Sequence, residues 1–412
     1  MKLYDELKWR GLIDNVTSPE VEDAINNGHL TFYIGTDPTA DSLHIGHYSS
    51  LSMAKRLEKH GHHPIMLVGG ATGFIGDPKA TGERAMLTKE TLEHNYQALH
   101  AQIEKLFGFE MVNNLDWTEN LSIIDFLRDY GKFFNVNYMI NKETVKKRLD
   151  QGISYTEFSY MILQALDFLT LLETKNCTMQ IGGQDQWGNI TSGLELIRKK
   201  HGADTKAYGL TMPLITKADG TKFGKSESGT VWLDPEKTSP YALYQFLFNT
   251  EDAKVIEYLK KLTFLEPEQI EALEVSAKEA PHKREAQKAL ASEVVRDLHG
   301  QEALDTALAI TNALFSGKLN ELDDSQKKEA VASMEKIVIE KDLPLEDVLV
   351  KSGIAKSKRE AREWTKGNSI SINGIKVTDP MHVVGDDDVY ADECLILKKG
   401  KKNQFCLTFA GK

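Results

Sequence analysis

The 412-residue sequence is poor in cysteine: only Cys177, Cys394 and Cys406 occur, far apart and without C-x-x-C spacing. That argues against a disulfide framework or a zinc ribbon and fits reduced thiols. No apolar run approaches the roughly 18 residues that cross a bilayer, so no membrane partner is expected. The opening MKLYDELKWRG is charged throughout and lacks the apolar stretch of a secretory signal, so a cytoplasmic location is expected. No internal repeat or low-complexity stretch is visible. Positive charge is also short, with a net charge of −11. This argues against a generic nucleic-acid coat, although local patches can still bind RNA.

What remains is an ordinary globular balance, 41% apolar and 27% charged, long enough for two or three domains. Strand-like runs at 29–36, 63–70, 177–183 and 207–215 alternate with helical patterns at 88–107, 156–172 and 185–200, and another helix starts near Leu43. This alternation predicts an α/β fold with a parallel sheet, whose ligands bind at the carboxyl ends of the strands. Residues 239–315 read as helices only. Residues 316–340 are polar and read as a linker or a last helix pair. From 341 two short helices precede three strands. That last segment has 13 Lys/Arg against 11 Asp/Glu, so the excess negative charge lies in the first 340 residues.

Two short segments suit phosphate chemistry. His44-Ile45-Gly46-His47 opens a helix after a strand, where free N–H groups, the helix dipole and two imidazoles three apart can meet a polyphosphate. Gly46 lets a nucleotide approach the backbone. Lys222-Phe223-Gly224-Lys225-Ser226 sits on a Gly-flanked loop about 175 residues later, suited to clamp phosphates electrostatically. Alone, the first also fits two surface histidines, and the second a solvated basic loop. Tyr160, Gln164 and Asp167 share one helix face, which is costly to bury unless a ligand or neighbour satisfies them. By spacing alone this could equally be the wet edge of a helix.

Together the two segments resemble the HIGH and KMSKS signatures of class I aminoacyl-tRNA synthetases. Phe223 and Gly224 depart from the second consensus, and KFGKS is similar to the form common in bacterial tyrosyl-tRNA synthetases. YIGTDPTADSLHIGH (33–47), VGGATGFIGDP (68–78), GISYTEFSYMILQALDF (152–168) and QIGGQDQWGNI (180–190) resemble the same family. The resemblance covers nearly the whole chain. It implies a Rossmann-like catalytic domain at 1–230, an α-helical domain on the anticodon-arm side at 231–318, a linker at 319–340 and an S4-like RNA-binding α+β domain at 341–412. The implied reaction activates L-tyrosine with ATP, releases pyrophosphate and loads the amino acid onto tRNA(Tyr). Tyr33 and Asp167 are expected on the ligand's phenol, Tyr160, Gln164 and Asp77 at its amino group, and Gln186 near its carboxylate. Thr39, His44, His47, Lys222 and Lys225 are the expected catalytic set. Gly35, Asp37, Gly46, Ser50, Asp185 and Ser226 join the histidines and lysines around ATP, and Lys79 and Arg84 are expected to close over pyrophosphate. Mg²⁺ is expected to come with ATP; no tightly bound cofactor and no protein metal cage are expected. Gln184 stands where the family often has serine, Ser50 where some members have threonine, and the DPKATGER loop differs from the usual run.

Residues 351–377 hold seven basic and two acidic residues. Lys356, Lys358, Arg359 and Arg362 are the expected RNA contacts, although a solvated helix would look the same. Lys199 and Lys200 are expected near the tRNA acceptor arm, though cations at a helix C-terminus are ordinary. Family members are homodimers, and the aromatic-rich run 126–140 is either dimer face or core. Three rival readings stay open: a tryptophanyl-tRNA synthetase, a non-catalytic RNA-binding protein on the same scaffold, and another nucleotidyl transferase of this α/β type.

Overall fold

The computed structural model describes residues 1–78, 86–150, 152–226, 229–400 and 403–410. They form two compact units, Met1–Asp234 with Thr250–Leu290, and Pro235–Asn249 with Ala291–Lys412.

The first unit is built on six strands: β1 (Asn15–Val16), β2 (Thr31–Thr36), β3 (His63–Val68), β4 (Glu110–Asn113), β5 (Cys177–Gly183) and β6 (Tyr208–Met212). Their order is β1-β6-β5-β2-β3-β4. β2 to β6 run parallel, and the short β1 pairs antiparallel with β6. The runs that predict strands are buried on both faces, as a covered parallel sheet requires: all of β6 and all of β3 except His63 are inside. The crossovers are the helices Ile45–Lys59, Lys89–Phe107, Tyr155–Lys175 and Trp187–His201. Two of them start at a cap that the sequence supplies; Thr88 and Ser154 accept from the backbone N–H groups of Thr91 and Glu157. The chain leaves β2 towards β3 on one side and returns to β5 on the other. This reversal opens a crevice at the carboxyl ends of β2 and β5. A two-stranded hairpin follows, β7 (Lys225–Ser226) with β8 (Gly229–Thr230).

Residues 250–290, expected within a separate helical domain, pack into this first unit. The buried Arg10 guanidinium explains the attachment, donating to the carbonyls of Lys260, Thr263 and Leu265 at 3.1, 3.3 and 2.7 Å.

The second unit contains the helix Pro240–Phe248 and most of the helical run Glu285–Ser316, which is broken at Gly300 between the two expected helices. The expected linker carries the helix Asp324–Ala332 and strand β9 (Lys336–Ile339). Then come β10 (Leu343–Pro344), β11 (Ile370–Ile372), β12 (Ile375–Lys376), β13 (Val383–Val384), β14 (Cys394–Lys399) and β15 (Asn403–Phe409). The five-stranded sheet has the order β12-β11-β14-β15-β9, with β9 parallel to β15; β10 and β13 form a separate pair. The helices Leu345–Lys351 and Lys358–Lys366 bury Leu345, Val348, Leu349 and Ala361 against Ile370, Leu395 and Leu407 of this sheet. Among the described residues no helix is long and apolar enough to cross a membrane.

Candidate active site

The two phosphate-type segments meet. His44 caps the helix Ile45–Lys59: its Nδ1 accepts from the Gly46 N–H at 3.1 Å, and the His47 Nδ1 accepts from the His44 N–H at 3.2 Å. The two rings stack at 3.9 Å. Since both Nδ1 atoms accept, each neutral ring carries its proton on Nε2. Burial pulls the His44 pKa down, with Lys222 and Lys225 acting the same way against its backbone hydrogen bond. Burial, then His44, brings His47 to about 3. The backbone N–H groups are not open, as the sequence suggested. Ile45 N–H donates to Val231 O, Gly46 N–H to His44 Nδ1 and His47 N–H to His44 O. What faces a ligand is therefore imidazole N–H and helix dipole.

The lysine hairpin is stitched to this helix start. Val231 N–H donates to Gly224 O, and Leu233 N–H donates to Leu43 O, at 2.9 and 2.8 Å. Trp232 bridges His44 as a strand would. Gly224 has φ +95°, and a Cβ there would lie 3.3 Å from Gly46 N and 3.1 Å from Ile45 Cγ2, so glycine is required twice over. A cavity of about 520 Å³ opens here, lined by Asp37, Thr39, His44, His47, Asp185 and Lys222 among others. Lys225 is exposed on β7, and Ser226 pairs through its backbone with Gly229. The Ser226 side chain, Lys79 and Arg84 lie outside the described residues. Ser50 Oγ donates to the His47 carbonyl at 2.9 Å, within its own helix. Gly35 sits near the carboxyl end of β2.

Beside this cavity the helix Tyr155–Lys175 presents its polar face. Tyr160 OH donates to Asp37 Oδ2 at 3.2 Å, and Asp37 also accepts from Thr72 Oγ1 at 2.8 Å. Gln164 Nε2 donates to Gln186 Oε1 at 3.1 Å. Gln186 Nε2 in turn donates to Asp77 Oδ2 at 2.8 Å. Burial pushes Asp77 up to about 6, against the hydrogen bonds from Gln186 and Asn189. Asp167 is buried and pushed up to about 7, although it accepts from Trp117 Nε1 at 2.9 Å and Asn114 Nδ2 at 3.0 Å. Tyr33 is buried on β2, and its phenol pKa is raised by burial and then by Asp167. Its OH has no hydrogen-bond partner among the described residues.

A family profile described as tRNA synthetases class I (W and Y) matches residues 25–316, and one described as tyrosine–tRNA ligase SYY-like C-terminal domain matches 326–407. The tyrosine–tRNA ligase of Staphylococcus carnosus is 51% identical over 99% of this chain and 99% of its own. The chain belongs to the tyrosine–tRNA ligase family. As such it is a class I synthetase. Among solved structures, a C-terminally truncated mitochondrial tyrosyl-tRNA synthetase of Aspergillus nidulans is 29% identical with a TM-score of 0.69, covering 76% of this chain and 94% of that one. Its Coccidioides posadasii counterpart is 30% identical with a TM-score of 0.66, covering 75% and 91%.

In this synthetase several neighbours of the site escaped the sequence reading. Asn189 bonds Gln164, Gln186 and Asp77 at 3.0, 3.0 and 3.3 Å. Its spacing of three from Gln186 is a signal that could have found it. Asn114 and Trp117, which hold Asp167, follow the short β4 and carry no such signal. The expected RNA contacts divide. Arg362 forks onto the buried Glu346 at 2.5 and 2.8 Å, and Lys358 pairs with Asp347 at 2.5 Å. Both reach the neighbouring helix Leu345–Lys351, although all four basic residues are exposed. Lys199 donates to Phe133 O at 2.7 Å, and Lys200 lies 4.8 Å over the Tyr130 ring.

Proposed function

We propose that this crevice joins tyrosine to ATP and then passes the tyrosyl group to the terminal ribose of tRNA(Tyr). The observation that carries this reading is the buried Tyr33 hydroxyl. A polar atom sealed from water without a partner is costly, and a ligand phenol between Tyr33 and Asp167 removes the cost. Phenylalanine leaves the Tyr33 hydroxyl unsatisfied and gives Asp167 no further donor, so rejection needs no editing site; this enzyme class is itself the standard example of that principle.

Tyr160, Gln164 and Asp77 take the ligand's amino group, and Gln186 lies by the carboxylate. The carboxylate is ionised at neutral pH and attacks the α-phosphorus directly. The charge shed onto the phosphates is met by His44 and His47 Nε2–H, Thr39, Lys222 and Lys225, with Lys79 and Arg84 closing over pyrophosphate. Gly35, Asp37, Gly46, Ser50, Asp185 and Ser226 border the nucleotide. Mg²⁺ arrives on ATP, and no group of three metal-ligating side chains occurs among the described residues. Residues 1–230 carry the catalysis, 231–318 face the anticodon arm, 319–340 link, and 341–412 bind RNA through Lys356, Lys358, Arg359 and Arg362. The acceptor arm meets Lys199 and Lys200. The enzyme works in the cytoplasm as a homodimer. Supporting the dimer, Ile123, Ile124, Leu127, Val136 and Tyr138 are exposed within a short stretch of chain.

Pyrophosphate exchange into ATP, driven separately by tyrosine, phenylalanine and tryptophan, tests the reading on wild type and Asp167→Ala. Exchange with tyrosine alone, lost or relaxed in the variant, is expected. Exchange driven by tryptophan, or by none, overturns it.

A further inference from the structure

Lys398 carries a positive charge that none of the roles above uses. It lies on β14, and its ammonium donates to the carbonyls of Leu314 and Phe315 at 2.8 and 2.7 Å. These belong to the last turn of the helical run ending at Ser316. Gln404, opposite Lys398 in the β14–β15 register, donates its amide to the same Leu314 carbonyl at 2.5 Å. Tyr390 OH donates to Leu319 O at 2.6 Å. The Asn373–Gly374 turn between β11 and β12 closes on the same place. Both residues have positive φ, 50° and 84°, and a Cβ on Gly374 would fall 2.0 Å from the Gly317 carbonyl oxygen.

A helix ends with carbonyls that its own N–H groups cannot reach. Here the C-terminal sheet supplies the donors, and one is a cation placed where the helix dipole is negative. Burial lowers the Lys398 pKa, which fits an ammonium drawn partly out of water. Two strands, a hairpin turn and a loop converge on residues 314–319, at and just past this helix end.

We infer that Lys398 and Gln404 are positioning residues for tRNA: they latch the C-terminal sheet to the helix end at 314–319 and hold its RNA-binding face in a fixed place. This rests on the reading that the C-terminal domain binds RNA. With the latch gone, the domain keeps its RNA contacts but becomes a tethered module, and effective concentration is lost. Tyrosine activation is chemistry in the first unit and does not need it.

The test uses the full-length enzyme with Lys398→Met, Gln404→Leu, the double variant, Lys398→Arg and, as a control on the RNA reading, Lys356→Ala/Arg359→Ala. Tyrosine-dependent pyrophosphate exchange stays within twofold of wild type in the variants at 398 and 404. KM for tRNA rises about tenfold in the double variant, with each single change giving part of it, and amide exchange quickens over residues 313–322. Arginine at 398 restores both. The salt dependence of tRNA binding keeps its slope in Gln404→Leu and Lys398→Met, whereas loss of one phosphate contact lowers it by roughly one. Unchanged KM with quickened exchange overturns the latch's role in positioning, and unchanged exchange overturns the latch. A lowered slope in Lys398→Met with no effect of Gln404→Leu makes Lys398 an RNA contact and also overturns it. If the control pair leaves tRNA binding unchanged, the RNA reading fails on its own account, separately from the latch.

Discussion

Tyr33 on β2 and Gln180 on β5 stand opposite each other in parallel register, each with one buried polar atom lacking a partner among the described residues: the phenol oxygen and the amide Oε1. They sit at the switch point, where the sheet order puts a ligand. Two orphan polar atoms on paired residues of adjacent strands mark a place for something polar.

Tyr33→Phe separates ligand recognition from stability. Removing an unsatisfied buried hydroxyl relieves a cost of roughly 1–3 kcal/mol, so the ligand-free enzyme should melt higher, by about 2–4 °C per kcal/mol. Discrimination between tyrosine and phenylalanine in pyrophosphate exchange should fall about tenfold or more. Thermal unfolding without ligand and exchange with both amino acids check the two halves. A lower melting temperature would mean that the hydroxyl already has a structural partner.

Gly224→Ala should damage catalysis without touching tyrosine. At φ +95° an alanine is strained by roughly 1–2 kcal/mol, and its methyl presses on Ile45 and Gly46. The activation rate should fall about tenfold or more, with KM for ATP raised and KM for tyrosine within twofold. Comparable loss of tyrosine affinity would show that the hairpin supports the whole pocket.

The ligand-free pocket should have opposing pH dependences. Asp167 is raised to about 7 and Asp77 to about 6. Between the unfolded carboxylate value near 4 and these values, the native protein holds protons the unfolded chain has released. Their contribution to stability therefore falls as pH rises through this window. His47, lowered to about 3, works the other way. From about 6.5 downwards the unfolded chain binds a proton that the native ring refuses, and stability falls as pH drops. Asp167→Asn should therefore gain more stability than wild type between pH 5 and 8, and His47→Asn less. The difference should be on the order of 2 kcal/mol each. Urea unfolding at both pH values measures it, and parallel curves for the three proteins would refute it.

The parts legible in the sequence were those whose cause is local. The strands at 63–68 and 177–183 are apolar runs, and the helix face of Tyr160, Gln164 and Asp167 is a matter of spacing. The two motifs could be read as one site because each follows a strand of the same sheet. What stayed hidden depends on distant partners. β9 pairs with β15, nearly seventy residues later in the chain, so 336–339 read as linker. β1 is two residues long and exists only because β6 offers an edge. Asn114 and Trp117 matter because of where Asp167 lies. The Ile45 N–H reads as open in the sequence because its acceptor, the Val231 carbonyl, arrives from about 190 residues away.

The basic helix of the C-terminal domain should divide in the same way. Arg362 forks onto Glu346, a carboxylate that is nearly inaccessible to water, and Lys358 stands 3.6 Å from it. Arg359 is exposed and pairs with Glu363 along its own helix. Arg362→Ala leaves a sequestered carboxylate without its fork, so the melting transition of the C-terminal domain should fall. Arg359→Ala should leave melting unchanged, raise KM for tRNA about three- to tenfold and lower the salt slope by roughly one. Calorimetry and aminoacylation at two salt concentrations distinguish them. If Arg362→Ala melts normally and loses tRNA affinity with a lowered slope, the fork to Glu346 opens when RNA binds, and Arg362 belongs to the RNA face.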